Sequence, residues 1–241
     1  MGRAIPFKTQ PLIHLKDRKM KTIQLNLYEF GELDEKVKQN ALTACHNLNL
    51  FDNWWDYIYD DFMIICGLLG ITVDKKSMVF EGFYSQGDGS GFSAGVDIPN
   101  LLKSITKKGW RGYAPKLDFD FGWPGIDRRV LELVKYNKID MNARIISRTR
   151  GYGVAVDLGI YPAFHPVKNY DLIYAELDNL EKWLDVVAQI LNRFLFKQLQ
   201  DNYEYLTSDE AVIEAIEANG YWFTADGRKA SRLQELAMNE Q

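Results

Sequence analysis

The sequence predicts an α+β fold: a mostly antiparallel sheet built from two β-hairpins and covered by helices, including one long C-terminal helix. Two observations support this prediction. Two pairs of strand-like segments are each joined by a short turn that contains glycine, and an apolar stripe with helical spacing runs through residues 171–203. Helices do not alternate with single strands as in βαβ units, so a parallel doubly wound sheet is the weaker alternative.

The first residues differ in character from the rest of the chain. Residues 1–19 show neither helical nor strand periodicity, and their basic side chains surround two prolines. We interpret this segment as a loosely ordered leader, and Met20 could be the natural start. Residues 21–28 follow at once, and their apolar side chains alternate with polar ones, which is typical of a half-buried strand.

A pair of helices is predicted after this strand. Residues 34–47 place apolar side chains at four-residue spacing, and residues 52–69 carry a longer stripe on one face. Gly70 is a typical stop for the second helix, because glycine adopts the left-handed conformation that ends helices. The stripe of the second helix consists of Trp55, Ile58, Phe62, Ile65, Cys66 and Leu69.

The two hairpins lie farther along the chain. The first joins strands at 77–85 and 91–98 through residues 86–90, whose glycines supply positive φ angles at little cost. The second hairpin consists of strands at 141–148 and 152–158 and a turn at 149–151. Each hairpin would leave one apolar face bare if it stood alone, so residues 20–241 are predicted to form a single domain.

The remaining segments are assigned from their breakers and caps. Residues 107–124 are irregular and rich in aromatic residues and glycine, and Pro124 precedes a helix at 126–136. Pro162 and Pro166 mark a linker ahead of the long helix. The chain then contains a capped start at Thr207–Glu210, a helix end at Asn219–Gly220 and an edge strand at Tyr221–Phe223.

Composition and charge limit the classes of function. The formal net charge of −4 creates no strong overall field, so the sequence disfavours nucleic acid and anionic membranes as partners. No apolar run is long enough to span a bilayer. The two cysteines, Cys45 and Cys66, lie on apolar helix faces, which predicts buried thiols and fits a reducing cytoplasm.

The most distinctive segment is the glycine-rich loop, residues 85–91. Backbone amides in such a turn can form an anion-binding nest, and Asp88 could hold a cation or orient a water molecule. Alternatively, the glycines only close a tight hairpin and Asp88 bonds its own backbone. The candidate binding residues of this segment are Tyr84, Ser85, Gln86, Asp88 and Ser90.

A second candidate surface lies where the second helix begins. Trp55 falls on the core stripe, whereas Trp54 and Tyr57 fall beside it. Partly exposed aromatic side chains are common anchors of protein interfaces, so Trp54 and Tyr57 are candidate binding residues. The alternative is that they pack around the edge of the core.

No catalytic group can be assembled from the sequence. The histidines, His14, His46 and His165, are far apart and none is paired with a second ligand at short spacing, so we predict no metal site and no cofactor. A serine triad would need one of them to approach the glycine-rich loop, which lacks the strand-to-helix elbow of hydrolases. The sequence therefore favours a binding protein over an enzyme.

Several segments together resemble a known family. They are an opening Tyr-Glu-Phe-Gly-Glu-Leu-Asp-Glu-Lys-Val-Lys, the hairpin Phe-Tyr-Ser-Gln-Gly-Asp-Gly-Ser-Gly-Phe, and a closing Tyr-Glu-Tyr-Leu-Thr-Ser-Asp-Glu-Ala-Val followed by Asn-Gly-Tyr-Trp-Phe-Thr-Ala-Asp-Gly-Arg. In these the chain resembles a family of uncharacterised phage and prophage proteins, some labelled as antitoxins of toxin–antitoxin systems. The resemblance covers most of the chain from Met20 onward, except the stretch after Ile98, and carries over no catalytic residue.

The resemblance implies a regulator that acts by binding. The expectation is a cytoplasmic protein of a phage-infected or lysogenic host cell that binds and neutralises a host or phage protein, as antitoxins and anti-defence inhibitors do. It needs no membrane, and its oligomeric state stays open. The alternative is a nucleotide- or phosphate-binding protein or enzyme that uses the loop at 85–91.

Overall fold

A computed structural model describes residues 26–148, 152–160 and 171–230. The prediction of an α+β fold with a mostly antiparallel sheet is confirmed: the described residues form six α-helices, a four-stranded antiparallel sheet and a two-stranded antiparallel sheet. The predicted leader at 1–19, residues 21–25 of the first predicted strand, the turn at 149–151, the proline-bearing linker and the polar tail after residue 230 lie outside the described residues.

Contacts divide the chain into two compact units, residues 46–215 and residues 1–45 with 216–241. The prediction of one domain over 20–241 stays a prediction. The elements in chain order are β1 (Tyr28–Glu29), α1 (Glu35–Cys45), α2 (Asp56–Leu68), β2 (Ile71–Glu81), β3 (Gly89–Val96), α3 (Ile98–Lys107), α4 (Arg128–Lys135), β4 (Met141–Ser147), β5 (Val154–Ile160), α5 (Asp171–Leu206), α6 (Asp209–Ala218) and β6 (Trp222–Phe223).

The smaller unit is built around the pairing of β1 with β6. Tyr28 lies opposite Phe223 in this antiparallel pair, and the rings of Phe30 and Phe223 meet edge to face with centroids 6.1 Å apart. Phe223 is fully buried. The edge strand predicted at Tyr221–Phe223 is therefore present, shortened to its last two residues.

The larger unit contains the four-stranded sheet, in the order β2-β3-β4-β5 with every pair antiparallel. The two outer pairs are the two predicted hairpins. Along β4, Ala143 and Ile145 are buried while Asn142 and Arg144 are exposed. This alternation leaves one face of the sheet for the helices and the other for solvent.

The first hairpin differs from its prediction in where its strands begin and end. β2 starts at Ile71, six residues before the predicted start, because a bulge between Asp74 and Val79 interrupts the alternation. The Ser77 hydroxyl closes this bulge by accepting the backbone N–H of Ser93 at 2.7 Å. β2 also ends at Glu81 rather than residue 85, so residues 82–88 form a longer loop than predicted.

Helix α3 is absent from the prediction, which extended the preceding strand to Ile98. Asp97 caps this helix by accepting the backbone N–H of Asn100 at 3.1 Å, and Pro99 occupies its first turn. Its buried side chains include Leu101 and Leu102. The capping residues set the boundary where the apolar pattern alone does not.

Two helices cover the inner face of the sheet. α2 packs on β2, and α5 packs on β3 and β5 as well as on α2. Phe62 of α2 lies at their meeting point, with its ring centroid 5.1 Å from that of Phe92 on β3 and 6.4 Å from that of Phe194 on α5. Trp55, placed on the predicted core stripe of α2, is only partly buried.

Both cysteines are buried and free, as predicted. Burial raises the pKa of the Cys66 thiol far above its usual range, because removal from water disfavours the charged thiolate. Burial also raises the pKa of Cys45, and Lys229 opposes part of that shift. Both side chains therefore act as small apolar residues.

Replacing Phe62 with alanine should lower the free energy of unfolding by about 3–5 kcal/mol, since it leaves a cavity where three elements meet. Ile64→Ala is the matched control, because Ile64 lies on the same helix but is 44% exposed, against 1% for Phe62. Denaturant unfolding followed by circular dichroism measures both. Equal losses in the two variants would show that Phe62 does not hold α2 to the sheet.

Candidate functional site: an aromatic cleft between α2 and α5

The larger unit has a cleft of about 740 Å³ between α2 and α5, here called the α2–α5 cleft. One wall is formed by α2 residues 57, 58, 61, 62 and 65. The second wall is formed by α5 residues 194, 195, 198, 201, 202 and 205. These spacings place each set on one helix face. The third wall is the irregular segment Tyr113–Leu117.

The floor of the cleft is apolar and its rim is aromatic. Ile58, Phe62 and Leu195 on the floor are buried, whereas Tyr57, Tyr113 and Tyr205 on the rim are 54%, 47% and 63% exposed. An apolar floor with a few polar groups around it is the usual make-up of a ligand or peptide site.

Two hydrogen bonds fix the rim. The Tyr113 hydroxyl donates to Asp61 Oδ1 and so ties the segment after α3 to α2. The Tyr57 hydroxyl donates to Asn202 Oδ1 and so connects α2 to α5. Two of the three tyrosines are thus positioned by side chains on a neighbouring element.

The charge of Asp61 acts on both of these tyrosines. The hydrogen bond to Asp61, followed by burial and by the charge of Asp61, raises the pKa of Tyr113. Burial raises the pKa of Tyr57, with smaller contributions from Asp61 and Tyr205. A negative charge near a phenol opposes formation of a second one, so the rim is a place of negative potential.

Next to the cleft lies a cluster of aromatic rings that contains Trp54. Its ring packs against those of Trp55, Phe80, Phe83 and Tyr203, with ring centroids 5.6 to 6.4 Å from that of Trp54. Trp54 is only partly buried by this packing, so its role as a partly exposed binding residue stays a prediction. Tyr57, three residues on, faces the cleft instead.

The glycine-rich loop is attached to this cluster. Phe83 lies 5.1 Å from Tyr203 and 5.5 Å from Phe196, ring centroid to ring centroid. The neighbouring Tyr84 is exposed, and its hydroxyl donates to Glu204 Oε1 at 3.4 Å. Ser85 and Gln86 are exposed at the tip.

The carboxylate of Asp88 holds the loop closed from within. Its Oδ2 accepts the backbone N–H groups of Tyr84 at 2.8 Å and Ser85 at 2.6 Å. Gly82, with φ +57°, is needed here, because a Cβ at that position would lie 2.4 Å from the Asp88 carboxyl group. Asp88 therefore bonds the loop's own backbone, and these two amides are not free to bind an anion.

Ser90 lies apart from the exposed part of the loop. It is buried in β3, where its hydroxyl donates to Asn192 at 2.9 Å, and Asn192 Nδ2 donates to the Ser90 carbonyl at 2.9 Å. These bonds join β3 to α5 through satisfied polar groups. Ser90 is part of the packing between sheet and helix.

The structure thus brings the two predicted surfaces together. The loop and Trp54 meet in the aromatic cluster, and Tyr57 opens the adjoining cleft. Sequence reasoning missed Asp61, Tyr113, Asn202 and Tyr205. For Asn202 and Tyr205, the available signal was the row of polar residues that continues the apolar stripe of α5 after Leu195. For Tyr113 there was no such signal, because it lies in a segment without periodicity.

Nowhere in 26–148, 152–160 or 171–230 do three or more His, Cys, Asp or Glu residues come together in a way that could hold a metal ion. Over the same ranges, every helix is too short or too polar to cross a lipid bilayer.

The fold and the cleft define an α+β protein whose concave surface is lined by tyrosines and carboxylates. The chain belongs to the family described as a domain of unknown function (DUF8835), whose model matches residues 54–209. The match contains the entire four-stranded sheet and every residue that lines the cleft. No curated protein matches the chain, and no solved structure matches it.

Replacing Asp88 with alanine should lower the free energy of unfolding by about 0.5–2 kcal/mol, as for loss of a helix cap, because two backbone N–H groups lose their acceptor. Gln86→Ala in the same loop is the control, since its side chain is exposed. Urea unfolding measures the difference. If the two variants were equally stable, Asp88 would not hold the loop closed.

Asp61→Asn should lower the pKa of Tyr113, because the amide oxygen can still accept the hydrogen bond but the negative charge is gone. Tyrosinate absorbance should therefore rise at lower pH in this variant than in the unmodified protein. Asp178→Asn, an exposed change on α5, serves as the control. Superimposable titration curves for Asp61→Asn and the control would contradict the electrostatic link.

Proposed function

We propose that this protein is a non-enzymatic regulator, encoded by a phage or prophage, that binds and neutralises a host protein in the cytoplasm. The main observation behind this proposal is the cleft with three exposed tyrosines around an apolar floor. Tyrosine is enriched at protein interfaces because it offers a large apolar ring and a polar end at a small cost in conformational entropy.

The glycine-rich loop supports binding of a protein more than binding of a phosphate. The amides of Tyr84 and Ser85 are occupied by Asp88, whose own charge repels an anion. Tyr84, Ser85 and Gln86 remain exposed and can contact a partner. The nucleotide- or phosphate-binding alternative is therefore not favoured by the geometry of the loop.

The resemblance to phage and prophage proteins, some labelled antitoxins, suggests what binding would achieve. Such a regulator works by occupying its target, so it needs a stable complementary surface and no reacting groups. The cleft and the loop flank the same aromatic cluster and offer two contact points on one unit. This arrangement suits a partner that covers both.

Affinity capture from a bacterial host lysate should recover a stoichiometric protein partner, and the activity of that partner should fall when the purified chain is added in equimolar amount. The double variant Tyr84→Ala with Gln86→Ala should weaken the complex by about 2 kcal/mol or more if the loop contains a hot spot. Isothermal titration calorimetry with the purified partner measures this loss.

Tyr136→Ala is the matched control, because Tyr136 is 69% exposed and Tyr84 is 70% exposed, yet Tyr136 lies at the end of α4. The control should bind like the unmodified protein. Recovery of no partner, or a partner whose activity is unaffected by the bound chain, would overturn the proposed function.

A further inference from the structure

The cleft is continuous with a second, shallower groove. This groove of about 570 Å³ shares Tyr57 with the cleft and is also lined by Trp54 and by Phe51, whose side chain is 72% exposed. Together they form a surface along the start of α2 and the end of α5. Phe51 and Tyr57 are exposed parts of this surface and do not belong to the core of the larger unit.

Carboxylates outnumber lysines along this surface. Five carboxylates line the cleft and the groove: Asp52, Asp56, Asp60, Asp61 and Asp201. The lysines are Lys116 on the cleft wall, Lys75, which pairs with Asp60 at 2.7 Å and Asp56 at 3.6 Å, and Lys197, which pairs with Asp201 at 2.6 Å. The surface therefore has an excess of negative charge beside its apolar floor.

Asn202 adds a polar group inside the cleft. Its Oδ1 accepts the hydrogen bond from Tyr57, while its Nδ2 is buried and, within the described part of the chain, has no hydrogen-bond partner. An unpaired amide nitrogen needs a hydrogen-bond acceptor. A small shift of the Asn202 side chain would let it donate to a main-chain carbonyl of a peptide bound in the cleft.

These features select the chemistry of the occupant. A negative rim of tyrosines suits a guanidinium group, which stacks on aromatic rings and donates several hydrogen bonds to a carboxylate. The apolar floor suits an aliphatic side chain next to it, and Asn202 suits a main-chain carbonyl. A phosphate or an acidic segment would meet repulsion from Asp61 and Asp201.

We infer that the α2–α5 cleft binds a basic peptide segment of the protein partner, with an apolar side chain on the floor and an arginine between the rim tyrosines and Asp61. This inference rests on the proposed function and specifies the partner surface that is recognised. The groove past Tyr57 extends the contact, and Asp52 there receives a further basic residue of the same segment, since Asp56 and Asp60 pair with Lys75.

The test uses the purified full chain and short fluorescent peptides of four compositions: arginine with leucine, lysine with leucine, glutamate with leucine, and arginine with serine. Fluorescence anisotropy should show the tightest binding for arginine with leucine and weaker binding for lysine with leucine. The glutamate–leucine peptide should not bind because its charge is negative. The arginine–serine peptide should not bind because it lacks the apolar side chain. Equal binding of the glutamate peptide would overturn the inference.

The decisive variant is Asp61→Asn with Asp201→Asn, which should weaken binding of the arginine–leucine peptide at least about tenfold, or about 1.4 kcal/mol. Asp178→Asn with Asp185→Asn changes the net charge equally, on α5 but outside the residues that line the cleft, and should leave affinity unchanged. Lys116→Glu should tighten binding. If both double variants lowered the peptide affinity equally, the effect would come from the overall charge of the chain. That result would refute a site in the cleft.

Tyr205→Ala is a second variant that leaves the net charge unchanged. It should also lower the affinity for the arginine–leucine peptide at least about tenfold. A cleft filled by a second copy of this chain would instead give no peptide binding and a dimer in light scattering, which overturns the inference. Peptide binding without a captured partner defeats only the proposed function, whereas capture without peptide binding defeats only this inference.

Discussion

Packing of Phe62 against β3 and α5 is the constraint on which the larger unit depends. Its ring touches Phe92 and Phe194 and is almost completely buried. The distance between α2 and α5 at this level is therefore set by the volume of aromatic side chains. Past Leu195, the side chains of α5 that line the cleft are Gln198, Asp201, Asn202 and Tyr205, which leave the space between the helices open. The α2–α5 cleft is the open continuation of the same packed layer.

Because the cleft continues a packed layer, it has a fixed shape and still opens to solvent. Its floor belongs to the core, so the floor cannot collapse without loss of packing. Its rim is held by hydrogen bonds from Tyr57 to Asn202 and from Tyr113 to Asp61. A preformed surface of this kind loses little conformational entropy when a partner binds.

Local signals made much of the fold predictable. Turn glycines located both hairpins, and the apolar stripe located α5, because these patterns depend on residues close in sequence. The bulge at Ser77 broke the alternation and hid the start of β2, although the strand pairs on either side of it. Helix α3 was missed because its Asp97 cap directly follows a strand, and the apolar pattern was extended through Ile98.

The site was less predictable than the fold, for a physical reason. Tyr57 and the exposed loop could be identified because unusual aromatic or glycine content marks them in the sequence. The bond between Tyr113 and Asp61 joins residues 52 positions apart, and it exists only because the segment after α3 returns to α2. Ser90 shows the opposite case, since a small polar residue in a glycine-rich segment was required by the Asn192 contact inside the protein.

The small net charge of the whole chain does not indicate the local negative charge of the cleft. Asp56 lies in the first turn of α2, where a carboxylate stabilises the helix dipole, and Asp60 is paired with Lys75. Asp61 lies beyond that first turn, and its hydrogen bond goes to a rim tyrosine rather than to a cation. The helix and the surface ion pairs thus account for Asp56 and Asp60, whereas Asp61 has no ion-pair partner among the described residues. Asp61 also contributes, with burial, to the raised pKa values of Tyr57 and Tyr113, so our proposal that the cleft binds a cation depends mainly on this carboxylate.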